Sequence, residues 1–130
     1  MFKKELEELL DNREQVLRLI LAQEYILTKT NETIIDQELI IKIELEKEIS
    51  SADQAEIKTK YSNAEKRRLE LEKRLNSDNT LSIEKARKTA TEIKLLELNG
   101  KDKIYRIKER FLFKQIDIYL AELNLKIDKD

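Results

Sequence analysis

Apolar residues recur at helical spacing through most of this chain. From about Phe2 to about Ile49, the residues Leu6, Leu10, Leu17, Ile20, Leu27, Ile34, Ile41 and Leu45 fall on one stripe, which Leu9 and Val16 widen. The pattern predicts a long helix over 2–49. Its weakest stretch is Thr28-Lys29-Thr30-Asn31, where β-branched and Asn side chains disfavour helix. The stripe stays in phase across that stretch, so one continuous helix is expected in preference to two shorter ones.

A second long element is expected over 82–127. Its stripe reads Ala86, Ala90, Ile93, Glu97, Gly100, Ile104, Ile107, Phe111, Lys114, Ile118, Ala121 and Leu125, a 4-3-4-3 spacing typical of a coiled-coil seam. Asn99-Gly100 resembles a helix stop, but the stripe enters and leaves it in the same phase. The helix is therefore expected to continue, with Gly100 facing the helix it packs against.

Between these elements, residues 50–76 are less regular. Ile57-Lys58-Thr59-Lys60-Tyr61 alternates like a strand without a partner, so it is expected to be an extended linker. Ser62-Asn63-Ala64-Glu65 has the form of a capping box and opens a short helix to about Leu75. Asn76-Ser77-Asp78-Asn79-Thr80 reads as a turn. The expected fold is all-α, a single domain over 1–130. Two long helices and a short middle helix form an elongated antiparallel hairpin or bundle with coiled-coil-like packing.

The apolar face of the first helix is broader than one neighbouring helix can cover. Either the short helix packs there or another copy of the chain does, and self-association is the more economical of the two. The interface is assigned to Leu9, Leu10, Val16, Leu17 and Ile20 on the first helix, and to Ile104, Ile107, Phe111 and Ile118 on the last.

Composition narrows the chemistry. Of 130 residues, 41% are charged and 5% aromatic, with no Cys, His, Pro or Trp and one Gly. Without Cys or His, the common zinc, iron–sulfur and Ser-His or Cys-His nucleophile systems lack their ligands or base. One Gly cannot build a glycine-rich phosphate loop. Carboxylate pairs such as Glu44 with Glu48, or Glu5 with Glu8, share a helix face that solvent is expected to cover. No enzymatic activity, metal, cofactor or small-molecule substrate is expected. The longest apolar run, Val16 to Ala22, is interrupted by Arg18 and is too short to span a membrane. The acidic start (Glu5, Glu7, Glu8, Asp11) does not suit a secretory signal. A cytoplasmic protein without membrane contact is expected.

Charge is divided along the chain. Residues 1–56 carry a net −7 and residues 57–130 a net +6, giving −1 in total. Lys58, Lys60, Lys66, Arg67, Arg68 and Arg74 cluster around Tyr61, and Arg106 and Arg110 flank the region of Tyr105. Lys and Arg clusters neutralise phosphates and aromatic faces stack on unpaired bases, so these residues form a candidate surface for single-stranded nucleic acid. The competing expectation is intramolecular pairing with the acidic first helix.

The segment Lys60-Tyr61-Ser62-Asn63-Ala64-Glu65-Lys66-Arg67 is followed by a short helix, an Asp-containing turn and a long amphipathic helix. Over roughly Lys60 to Leu125 this arrangement resembles, in pattern, small all-helical phage accessory proteins, among them the phage recombination mediators. The resemblance implies an oligomeric helical protein that assists recombinase loading on single-stranded DNA. Those mediators tend to be basic, whereas this chain is slightly acidic. The Lys-, Ile- and Asn-rich composition suits an AT-rich genome. The leading expectation is thus a non-catalytic, self-associating helical interaction protein of phage-type DNA recombination or replication. Two alternatives are a helical adaptor or inhibitor that docks on a protein target such as a host defence enzyme, and a structural scaffold subunit.

Overall fold

The computed structural model describes residues 2–129. The chain is all-α, with four helices and no strand among the described residues: α1 (Lys3–Ser51), α2 (Gln54–Lys60), α3 (Ala64–Ser77) and α4 (Asn79–Lys129). It divides into two units, one formed by Met1–Glu24 with Ile93–Asp130 and the other by Tyr25–Glu92.

α1 runs unbroken through Thr28–Asn31, as expected. The hydroxyls there bond within the helix: Thr30 Oγ1 donates to the Ile26 carbonyl at 2.8 Å and Thr33 Oγ1 to that of Lys29 at 3.0 Å. α4 likewise continues through Gly100, which has no left-handed backbone.

In the unit of Met1–Glu24 and Ile93–Asp130, α1 and α4 run antiparallel. Val16 and Ile20 pack with Leu98, flanked by Leu95 and Tyr105. Leu9 and Leu112 are buried further along, and the Phe2 and Tyr119 rings meet edge-on at 5.8 Å. Arg13 lies within this seam, beside Asp102 and Glu109.

In the unit of Tyr25–Glu92, α3 joins the core. Ile34 and Ile41 of α1 enclose Leu81 of α4, which is 1% exposed, with Leu71 and Leu75 of α3 against them. Burying such a side chain contributes about 1.5–3 kcal/mol. The corner between α3 and α4 is a single residue. Asp78 accepts from the Leu81 amide at 2.9 Å, capping α4, while Gln37 of α1 donates to its carboxylate at 3.4 Å.

Local geometry corrects the expected middle segment. Residues 57–61 are not an extended linker, because Asp53 accepts from the Glu56 amide at 2.9 Å and starts α2. The cap of α3 is Asn63, whose side chain accepts from the Lys66 amide at 2.9 Å, so the helix begins one residue later than a Ser62 cap would place it. The turn at 76–80 shrinks to Asp78, and α4 starts at Asn79.

The inward face of α4 also differs from the expected one. The buried and half-buried positions are Leu81, Glu84, Lys88, Thr91, Leu95, Leu98, Asp102, Tyr105, Glu109, Leu112 and Ile116. This is a strict 3-4 repeat, but a different one from the apolar stripe read off the sequence. Gly100 therefore does not face α1, and a Cβ placed on it would meet nothing within 4 Å.

Candidate functional site

The surface left over by this packing is the outward seam of α4 in the unit of Met1–Glu24 and Ile93–Asp130. Thr91, Leu95, Leu98, Asp102, Tyr105, Glu109, Leu112 and Ile116 hold the inward positions, so the residue two positions after each of them points away. Those residues are Ile93, Glu97, Gly100, Ile104, Ile107, Phe111, Lys114 and Ile118, and the same 4-3 spacing continues to Ala121 and Leu125. Ile107 is 61% exposed and Phe111 64%. An open groove of about 380 Å³ runs beside them, lined by Glu5 and Leu9 of α1 and by Ile107, Phe111 and Leu112 of α4. Single exposed apolar side chains are ordinary on a protein surface, but a long stripe of them, interrupted here by Glu97 and Lys114, marks a contact site.

Of the expected interface residues, Leu10, Leu17, Ile104, Ile107, Phe111 and Ile118 are exposed. Leu9, Val16 and Ile20 are not available to another molecule, since α4 of the same chain buries them. Their inclusion is corrected by the phase of α1: they hold the inward positions, with Leu10 and Leu17 turned aside.

Half of the basic candidates have roles within their own chain. Tyr61 is 3% exposed, so it cannot stack on a base. Its hydroxyl donates to Glu48 at 3.5 Å, and its carbonyl accepts from Arg67 Nε at 3.0 Å. Arg68 pairs with Glu72 at 2.6 Å and Glu65 at 3.7 Å. Arg74 bridges α3 to α1, with Nη2 2.5 Å from Glu48 and Nε 3.0 Å from Glu70 of its own helix. The hydrogen bond from Arg74 holds the Glu48 carboxyl below its ordinary range, and the reciprocal bond from Glu48 raises Arg74 further above its own.

In the other unit, Arg106 bonds Asp102 at 3.0 Å. Tyr105 is half-buried against the Val16–Ile20–Leu98 cluster, with Lys108 Nζ 5.6 Å from its ring centre. Lys58, Lys60, Lys66 and Arg110 are exposed. The structure does not gather the ten candidate residues into one patch. It places Lys58, Lys60, Tyr61, Lys66, Arg67, Arg68 and Arg74 in one unit, and Tyr105, Arg106 and Arg110 in the other.

Pattern reading passed over three charged residues in an apolar seam. Arg13 sits between Asp102 and Glu109, which are seven residues apart on α4, with side chains only 8% exposed at Asp102. The signal was present as two carboxylates one heptad apart, but neither lay on the stripe that the apolar residues define.

A second open groove, of about 520 Å³, lies between α1 and α3 in the unit of Tyr25–Glu92, with Leu45, Ile49 and Leu71 beside Arg67 and Arg68. Among the described residues no group of three or more Asp and Glu is placed to hold a metal ion, and no helix is long and apolar enough to cross a membrane. Comparison with family models, with curated proteins and with solved structures finds no match to this chain.

Proposed function

We propose that this chain is a non-catalytic helical interaction protein that works by lending the outward seam of α4 to another helix. One observation carries the reading: α4 has two in-phase seams, and its own chain covers the more polar of them. The inward seam interrupts its leucines with Glu84, Lys88, Thr91, Asp102 and Glu109, while the outward one presents Ile93, Ile104, Ile107, Phe111 and Ile118 to solvent. Burial of apolar area drives most helix association, so the free-energy gain still available lies on the outside.

Ile107→Glu tests this. At concentrations where the chain is monomeric it is expected to keep its helicity and thermal midpoint, while losing association with any helical partner. Loss of the fold would mean that the seam is covered within the chain, and the reading would fail.

A second reading, contact with single-stranded nucleic acid in phage-type recombination or replication, is supported by Lys58, Lys60 and Lys66. These stay exposed at α2 and the start of α3, with no ion pair drawn to them among the described residues. Oligonucleotide titration at low and moderate salt separates the two, because phosphate contacts weaken steeply with ionic strength.

A further inference from the structure

The outward seam of α4 also carries the information needed to choose its occupant. We infer that it pairs with the same seam of a second copy, antiparallel, in a register that places Ile107 against the partner's Ile118. This rests on the reading of the seam as a free contact surface.

The first argument is size. In that register Ile104 lies over the partner's Ala121, and Leu125 lies over the partner's Gly100. Large residues meet small ones in successive layers, as close packing of two helices requires. Gly100 has no role within its own chain that needs a missing side chain: its backbone is helical and a Cβ there would touch nothing. A second helix supplies that role. Phe111 falls over the partner's Lys114 next to the two-fold axis, where the lysine stem covers the ring and the ammonium leaves toward water. A single polar residue of this kind in an apolar seam selects one register over its neighbours.

The second argument is charge. Residues flanking an antiparallel seam meet their equivalents across it. Arg110 then faces the partner's Asp117, and Lys101 faces the partner's Glu122, each twice by symmetry. All four side chains are exposed and none is drawn into an ion pair of its own chain among the described residues. A parallel pairing of the same seam would set Lys103 against the partner's Lys108, and Asp117 against the partner's Glu122. Both are like-charge contacts.

A third observation is independent of the register. Every residue from Leu120 to Ile127 is exposed, although Leu120, Leu123, Leu125 and Ile127 are apolar. A helical segment this short gains little from its own hydrogen bonds in water. In the same register it lies across the two-fold axis on the partner's Leu98–Tyr105 segment and is covered there. From Gly100 to Leu125 the shared seam measures about 37 Å at 1.5 Å per residue.

Sedimentation equilibrium of the full chain over a range of concentrations tests the pairing, with circular dichroism to check that each variant folds. A monomer–dimer equilibrium is expected. Arg110→Asp and Asp117→Arg should each weaken it about tenfold, and the double variant should recover most of the loss. The chain has no cysteine, so orientation can be read by oxidation. Chains carrying Ile104→Cys should cross-link to chains carrying Ala121→Cys, and Ile104→Cys chains should not cross-link to one another. Cross-linking of Ile104→Cys to itself would overturn the antiparallel arrangement. A monomer at every concentration would overturn self-pairing. If Ile107→Glu still folds in that case, the seam remains a surface for a different helix, so the two failures are told apart.

Discussion

Arg13 and Asp102 face each other across the seam between α1 and α4, with Nε 3.6 Å from Oδ1. The same guanidinium reaches Glu109 one heptad further along, while Arg106 holds the other Asp102 oxygen at 3.0 Å. Arg13 Nε and Asp102 Oδ1 are buried and form no hydrogen bond, only the ion pair. Such a group stabilises little over an apolar replacement, but it penalises any shift of register, because a slipped helix would take Arg13 away from Glu109 and from the buried Asp102 oxygen.

Removing one partner therefore costs more than removing all of them. Arg13→Leu is expected to destabilise this unit by about 2 kcal/mol, since Glu109 loses its counter-charge and Asp102 keeps only Arg106 in a half-dry seam. The triple variant Arg13→Leu, Asp102→Leu, Glu109→Leu should regain that loss or exceed the native stability. Urea unfolding curves compare the three proteins. A single variant as stable as the native chain would show that the pair contributes nothing.

The two seams of α4 predict opposite responses to truncation. Leu98, 5% exposed, should cost about 2–3 kcal/mol when replaced by Ala. Ile107→Ala at low protein concentration should stay within about 0.5 kcal/mol of native. The reverse order in thermal unfolding would mean that the other stripe faces α1.

Gly100→Ala, at concentrations where the chain is monomeric, should raise stability by about 1 kcal/mol. The helix interior gains an alanine, and the added methyl group has open space around it. A fall in the thermal midpoint would show that something of the same chain packs against Gly100.

Acid should loosen the α1–α3 contact once Glu48 takes up its proton. Glu48 titrates below its ordinary range when folded, held there by the hydrogen bond from Arg74. Its contribution is thus complete above the unfolded value and disappears as pH falls through the lower folded one. Carboxyl NMR titration should show the low midpoint, and Arg74→Met should return it to the ordinary range. An unchanged midpoint in that variant would assign the shift to another cause.

Charge reversal of the middle segment should act on folding. Arg67→Glu removes the donor to the Tyr61 carbonyl, and Arg74→Glu sets a carboxylate against Glu48. Both are expected to lower the thermal midpoint of the unit containing α2 and α3. A variant with unaltered unfolding that has lost only oligonucleotide binding would favour the nucleic-acid reading.

How much of this was written in the chain can be followed at particular residues. The continuity of α1 through Thr30 and of α4 through Gly100 was legible from phase, because side chains seven apart return to one face whatever surrounds them. The caps at Asp53 and Asn63 were harder to place. Adjacent Ser, Asn and Asp residues compete for the same amides, and one residue of backbone geometry decides among them. Tyr61 was misread because an aromatic among lysines looks the same in sequence whether its ring stacks outward or fills the corner beside Glu48.

Helix content, the two long elements and the existence of apolar seams on them follow from sequence alone, since hydrogen bonding along a helix is local and its periodicity is read directly. Which seam of α4 turns toward α1 does not. The stronger apolar stripe points outward. The weaker one, with Arg13 clasped by Asp102 and Glu109, points in, because complementary charges on α1 stabilise burial of polar positions that no single helix could justify. That choice depends on both helices at once, and only the tertiary structure holds them together.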